Sequence, residues 1–193
     1  MSLPTDPLSL LARSLDQAGA VVAGVRDDQA HLPTPCRSWD VTALVEHLVH
    51  DLHQFTGRAR GDDPDWQAQS EPVDGDRVDA FRAGESALLE AWRAAGDLDG
   101  TFTNPRGEVP KRFAVSQQTA EFACHAWDLA VATGQSTHLD EEVGLASLTW
   151  AATALQPEFR GPESEGKAFG PAVELPEDAP LYDRLAGFFG HHR

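Results

Sequence analysis

The spacing of apolar residues along four long segments constrains this chain more than any other feature. In each segment, apolar side chains recur every three or four residues, which places them along one stripe of an α-helix. The four predicted helices span residues 6–30, 39–58, 77–95 and 115–133. We therefore predict an all-α fold, in which one domain over residues 1–193 is built around a four-helix bundle.

Capping and turn residues set the predicted ends of these helices. Ser38 or Asp40 can cap the second helix with a side-chain oxygen, and Gly134 can end the fourth. A C-terminal extension over residues 140–193 follows, and Asp140 can cap its first helix. Two smaller elements are also predicted, namely a short hairpin between residues 101–103 and 108–109 and a last helix over residues 181–189.

The chain is strongly acidic, with 31 Asp and Glu residues, 15 Lys and Arg residues and a formal net charge of −16. A surface of that sign repels phosphate backbones and anionic lipids, so we expect no nucleic-acid partner and no membrane partner. No apolar run approaches the ~20 residues that span a bilayer. Because the first residues lack a secretory pattern, Cys36 and Cys124 are expected to be free thiols and the protein to be cytoplasmic.

The fourth predicted helix carries the most suggestive cluster of polar residues. On a wheel of ~100° per residue, Glu121, His125 and Asp128 lie together along the flank of its apolar stripe. Glu121 and His125 are one turn apart, so a carboxylate and an imidazole can converge on one ion. Cys124 lies roughly opposite the centre of the stripe and is predicted to have no ligand role. The stripe itself consists of Phe122, Ala126, Leu129, Ala130 and Thr133.

The second predicted helix supplies a third candidate ligand. It carries three histidines, of which His50 and His53 point away from the apolar stripe and are expected to face solvent. His47 lies nearer the edge of the stripe, and Asp51 follows it one turn later. We therefore predict that His47 points inward as a ligand. Asp51 is predicted to contact His47 without binding the ion itself.

Two imidazoles and one carboxylate are typical of a catalytic zinc site, because three protein ligands leave one position open for water or substrate. The same set accommodates nickel, iron or manganese. A Glu-x-x-x-His pair also arises by chance on exposed helix faces, which leaves a plain bundle as an alternative. Asp128 can either orient a ligand imidazole or make a structural hydrogen bond. Trp39 and Trp127 are expected to be core anchors beside the site.

Two strings then resemble a known family. The segments TPCRSWDVTALVEHL (residues 34–48) and EFACHAWDLAVATG (residues 121–134) resemble signatures of the mycothiol-dependent maleylpyruvate isomerase-type metal-binding domains, which belong to the DinB-like four-helix bundles. The ending FGPAVELPEDAPLYDRL (residues 169–185) resembles the tail of an uncharacterised actinobacterial subgroup. The resemblance spans nearly the whole chain.

This resemblance implies a DinB-like four-helix bundle with short additional C-terminal helices. It places the family's metal ligands on His47, Glu121 and His125, and it implies a divalent metal, usually zinc. For several members it also implies a low-molecular-weight thiol such as mycothiol as co-substrate. Cys36, in a loop, can approach this site, although no pattern assigns it a role.

The family's isomerase differs from this chain in one respect. It carries a further C-terminal domain that contributes an active-site arginine, whereas only about forty residues follow the fifth helix here. Arg160 and Arg184 are the cationic candidates, and neither lies in a matching motif. Isomerisation of maleylpyruvate itself is therefore not predicted.

The leading hypothesis is a metal- and thiol-dependent transferase or isomerase acting on a small electrophilic substrate. The first alternative is a non-catalytic metal-binding or small-molecule-binding bundle, in which a homodimer is one possible arrangement. The second alternative is a helical bundle without any site, whose histidines lie at the surface.

Overall fold

The computed structural model describes residues 6–36, 39–65, 68–104, 107–161 and 169–191. In these residues the chain is all-α apart from one small hairpin, so the predicted fold class is confirmed. The α-helices are α1 (Pro7–Ala23), α2 (Val41–Arg60), α3 (Arg77–Ala94), α4 (Lys111–Thr133), α5 (Glu141–Ala154) and α6 (Leu181–Phe189). Among them, no helix combines the length and the apolar character that crossing a bilayer requires.

The hairpin joins α3 to α4 and follows the predicted pairing. Strands β1 (Thr101–Asn104) and β2 (Gly107–Pro110) are antiparallel, with Phe102 opposite Val109. The fourth helix begins directly after Pro110, four residues earlier than predicted, since only its later residues show the apolar period. Lys111 in its first turn donates a hydrogen bond to the carbonyl of Ala95 at 3.1 Å, which ties the start of α4 to the end of α3.

The prediction that the first helix reaches residue 30 is wrong. Helix α1 ends at Ala23, and a short 3₁₀ turn over Asp27–Gln29 follows. The side chain of Gln135, just after α4, donates to the carbonyl of Val21 at 2.9 Å and satisfies one of the free carbonyls of the last turn. This contact lies against Gly24, where a Cβ atom would collide with the Gln135 amide. The end of α1 is therefore fixed by a residue distant in sequence.

Local capping explains where the site-bearing helices begin and end. Asp40 caps α2 by accepting a hydrogen bond from the backbone N–H of Ala43 at 2.9 Å, as predicted for one of two candidates. The other candidate, Ser38, lies outside the described residues. Gly134 ends α4 in the left-handed conformation, with φ of 67°, which favours glycine.

Two apolar clusters surround α4. The larger one fills the bundle of α1, α2, α3 and α4, and it includes Phe122, Ala126 and Leu129 of the predicted stripe. A second cluster lies between α4, α5 and α6, and it takes in Cys124 and Trp127 from the opposite face of α4. The fourth helix is therefore buried on both faces, because the C-terminal extension covers the side that a simple bundle would leave to solvent.

Asp140 joins this extension to the bundle. Its carboxylate caps α5 by accepting from the backbone N–H of Val143 at 3.1 Å, as predicted, and it pairs with Arg13 of α1 at 2.7 Å. Burial alone would raise the pKa of Asp140, but the Arg13 guanidinium and the hydrogen bonds of the cap hold that pKa below its usual range.

Replacing Asp140 tests this junction. The ionised Asp140 carboxylate stabilises the folded protein fully above the pKa of an unfolded aspartate, about 3.9. This stabilisation disappears as the pH falls through the lower pKa that Asp140 has in the folded state. We expect Asp140→Asn, which keeps a capping oxygen, to lower the free energy of unfolding at neutral pH and to match wild type in acid. Asp140→Ala should cost about 1 kcal/mol more through the lost cap. Urea unfolding followed by circular dichroism measures both, with Glu141→Gln in the same turn as control.

Candidate metal centre

The three predicted ligands lie together between α2 and α4. The ligand atoms of His47, Glu121 and His125 are all within 4.8 Å of one another. His125 Nε2 lies 3.1 Å from Glu121 Oε1, and His47 Nε2 lies 3.6 Å from the same oxygen. A tetrahedral zinc ion bound by nitrogen and oxygen has ligand–ligand edges of about 3.3 Å, so this spacing suits one cation.

The Nε2 atom of His47 differs from the other ligand atoms of this cluster in that it makes no hydrogen bond in the described part of the chain. This atom is buried. A buried polar atom without a partner costs free energy that a bound cation or water would recover. The ring is held in place by Trp39, which stacks on it with centroids 4.1 Å apart and planes inclined by 24°. The Thr34 hydroxyl donates a 2.8 Å hydrogen bond to the carbonyl oxygen of Trp39, which fixes the loop that carries this tryptophan.

Asp128 orients the second imidazole. Its carboxylate is fully buried and lies 2.9 Å from His125 Nδ1, which leaves His125 Nε2 directed at Glu121. Such a carboxylate–imidazole pair fixes the tautomer and the ring orientation of a ligand histidine. Burial alone would lower the pKa of His125, but the carboxylates of Asp128 and Glu121 raise it well above its ordinary value.

The pKa of Glu121 changes in the opposite direction. Burial alone would raise it, but the imidazoles of His125 and His47 lower it below its usual range. The Glu121 carboxylate is therefore ionised and ready to act as a ligand at neutral pH. Asp51 lies 3.4 Å from His47 Nε2, and its burial raises its pKa to about 7, an effect that the Glu121 charge reinforces and His47 opposes.

The other two histidines of α2 differ in exposure, and both predicted tryptophan anchors pack in or against apolar clusters. His53 is exposed, as predicted. His50, which was also expected to face solvent, is half-buried and lies 3.1 Å from the Gln54 side chain. Trp127 is a core anchor in the second cluster, and Trp39 packs on the first.

Arg160 hydrogen-bonds to the carbonyls of Leu155 and Gly170 and lies over the Phe188 ring, within the C-terminal extension. Arg184, on α6, is half-buried.

Sequence reasoning missed one residue of this region. His191 follows α6 and lies 2.9 Å from Asp128 Oδ2, so one carboxylate contacts two imidazoles. Cys124, which was predicted to have no ligand role, is fully buried and lies 3.5 Å from His191. The signal that pointed to a second buried face was the apolar character of α4 on both sides, since a helix that is apolar all round is buried all round.

A sequence profile described as the mycothiol maleylpyruvate isomerase N-terminal domain matches residues 11–130, which include all three candidate ligands. The chain belongs to this family. Two uncharacterized proteins of Mycobacterium tuberculosis, MT0763 and Rv0738, are each 38% identical to it over 185 residues, which cover 96% of this chain and 97% of the relative. The resemblance inferred from the two signatures is thereby confirmed.

The fold is similar to that of a solved member of the family. The crystal structure of the mycothiol-dependent maleylpyruvate isomerase superposes on 84% of this chain and 72% of its own, with a TM-score of 0.50 and 14% sequence identity. At that identity the likeness concerns the fold alone, and it confirms the predicted DinB-like bundle.

The role of Asp128 can be tested in metal-free protein. In Asp128→Asn the imidazole of His125 keeps its burial but loses one of its two carboxylate neighbours, so we expect its pKa to fall. Titration of the histidine side chains by NMR, with the exposed His138 as internal reference, measures the change. An identical His125 pKa in both proteins would contradict the proposed contact.

Proposed function

We propose that this protein is a metal- and thiol-dependent transferase or isomerase that acts on a small electrophilic substrate. In this proposal His47, Glu121 and His125 are the ligands of one divalent cation. The observation that carries it is the buried Nε2 atom of His47, which makes no hydrogen bond within the described residues and lies 3.6 Å from the Glu121 carboxylate and 3.4 Å from that of Asp51. The donor set suits zinc best, and nickel, iron or manganese also fit two imidazoles and a carboxylate.

The surroundings of the three side chains support a preorganised site. Glu121 and His125 are one turn apart on α4, so the helix fixes their separation, and Asp128 fixes the orientation of His125. His47 comes from α2, and its ring stacks on Trp39. Ligands that are locked by packing and hydrogen bonds need little reorganisation when a cation binds.

A cleft beside His47 offers room for a substrate. Its volume is about 440 Å³, and it is lined by polar side chains that include Glu46, His50, Gln54 and Gln69 as well as by Trp39. Three protein ligands leave one coordination position for an incoming group. A zinc ion at this centre would lower the pKa of a thiol that reaches that position, which generates a nucleophile without a dedicated base.

The choice of thiol rests on the family. The family takes its name from a mycothiol maleylpyruvate isomerase, and the solved isomerase is mycothiol-dependent, so mycothiol is the thiol that we propose for this chain. Maleylpyruvate is not proposed as the substrate. Arg160, one of the two arginines that remain as candidates for binding its carboxylates, is engaged within the C-terminal extension.

Metal binding is tested by zinc titration of chelator-treated protein. We expect the triple variant His47→Ala, Glu121→Gln and His125→Ala to lose one equivalent of tightly bound zinc. The affinity for zinc should fall by more than the roughly 10–100-fold that follows the loss of a residue that only hydrogen-bonds to a ligand. His53→Ala, an exposed histidine of the same helix, is the matched control and should bind as wild type does. Equal zinc in the triple variant and wild type would refute the metal centre.

One observation favours the non-catalytic alternative. Asp51 approaches His47 Nε2 to 3.4 Å and could close the coordination shell, as in a structural site. The same titration with Asp51→Asn separates the two functions. A loss of affinity as large as that of His47→Ala would identify Asp51 as a fourth ligand and favour a structural ion, whereas a smaller loss supports an open, catalytic position.

Thiol use is tested by following the consumption of mycothiol with a panel of small electrophiles. We expect zinc-loaded protein to accelerate this loss and His47→Ala to reduce the rate by roughly 100-fold or more, since a cation supplies several kcal/mol of stabilisation. His53→Ala should retain the wild-type rate. Absence of turnover across the panel, with zinc bound at His47, Glu121 and His125, would refute the catalytic proposal and leave the metal centre standing.

A further inference from the structure

A second group of potential ligands includes Asp128, whose carboxylate also contacts His125. Cys124 and Asp128 are one turn apart on α4, and His191 follows α6. The sulfur, a carboxylate oxygen and an imidazole nitrogen of these residues all lie within 4.8 Å of one another. None of the three is a ligand in the proposed metal centre.

Local structure directs His191 into this group. Gly190 ends α6 in the left-handed conformation, with φ of 93°, and the backbone N–H of His191 returns to the carbonyl of Ala186 at 2.9 Å. The backbone of Gly170 lies about 3.0 Å from where a Cβ atom of Gly190 would be. Both the conformation and the close approach therefore require glycine there.

Two distances within the group are close to those around one coordinated cation. Cys124 Sγ lies 3.5 Å from His191 Nδ1, and Asp128 Oδ1 lies 3.2 Å from the same nitrogen. In a tetrahedral zinc site the corresponding edges are about 3.5 Å between sulfur and nitrogen and about 3.3 Å between nitrogen and oxygen. A cation can therefore be accommodated with little movement of the side chains.

The arrangement does not suit a catalytic relay of cysteine, histidine and aspartate. In such a relay the nucleophile and the carboxylate contact opposite nitrogens of the imidazole, so that a proton can pass along the chain of groups. Here Cys124 and Asp128 both approach Nδ1 of His191. Convergence on one side of the ring is the geometry of ligands around a shared point.

Burial and donor type indicate which cation would bind. Cys124 and Asp128 are fully buried, and the His191 side chain is 15% exposed. Thiolate and imidazole ligands together favour zinc-like cations over magnesium or calcium, which require oxygen ligands.

We propose that Cys124, Asp128 and His191 form a second cation site, which binds a zinc-class divalent ion through one thiolate, one carboxylate and one imidazole. Asp128 would contribute Oδ1, and its Oδ2 atom would keep the 2.9 Å hydrogen bond to His125. Binding releases the proton of the Cys124 thiol to solvent. It also removes the proton that His191 Nδ1 donates to Asp128, which goes to solvent from an imidazolium or moves to Nε2 of a neutral ring, because only a thiolate and an unprotonated ring nitrogen act as ligands. This site stands on its own contacts and does not depend on the proposed function.

Cobalt(II) titration of reduced, chelator-treated protein tests the proposal, because a cobalt–thiolate bond gives a charge-transfer absorption that nitrogen and oxygen ligands do not. His47, Glu121 and His125 include no sulfur, so this absorption reports the second site alone. We expect wild type to bind two cobalt ions per chain and to show the absorption. Cys124→Ser should bind one ion without it, and His191→Gln should need a higher cobalt concentration to develop it.

Three further results complete the test. His138→Ala, which removes an exposed histidine outside this group, is the matched control for His191→Gln and should keep the absorption and both ions. His47→Ala should lose one ion but keep the absorption. Absence of the thiolate absorption in folded wild type, or its persistence in Cys124→Ser, would overturn the proposal. One bound ion without the absorption would leave only the centre at His47 standing. The absorption with one ion, unchanged by His47→Ala, would leave only the site at Cys124 standing.

Discussion

The structure depends most on a carboxylate that is buried between two imidazoles. Asp128 is fully enclosed, and a buried carboxylate is tolerated only when it is paired and hydrogen-bonded. Burial would raise its pKa, and the hydrogen bonds from His125 and His191 lower it instead, so it remains charged within the protein. The contact with His125 orients a predicted ligand. The contact with His191 attaches a residue that follows α6 to α4.

Much of this organisation could be predicted from the sequence. The apolar period located all four bundle helices, and Asp140 and Gly134 marked boundaries that the structure confirms. The site residues were accessible for the same reason: Glu121 and His125 are separated by one helical turn, so helix geometry alone places them together. His47 required only the assumption that a residue at the edge of an apolar stripe points into the bundle.

The remaining features depend on contacts between segments that are distant in sequence. The end of α1 is set by Gln135, and no local pattern near Gly24 indicates that a side chain from beyond α4 occupies that position. The buried environment of Cys124 was not predicted, because the wheel was oriented on the bundle stripe alone. A second apolar cluster against α5 and α6 gives the opposite face an interior of its own, and His191 becomes part of it only through the turn at Gly190.

The position of His47 on a different helix from Glu121 and His125 has a thermodynamic consequence. Any ion that these side chains share would bridge α2 and α4, which are separated in the chain by α3 and the hairpin. An ion that binds the folded chain and not the unfolded one adds RT ln(1 + [L]/Kd) to stability, about 2.7 kcal/mol at a hundredfold excess over Kd. The melting temperature of this protein would then depend on the free concentration of that ion, and its folding and its metal supply would be linked by mass action.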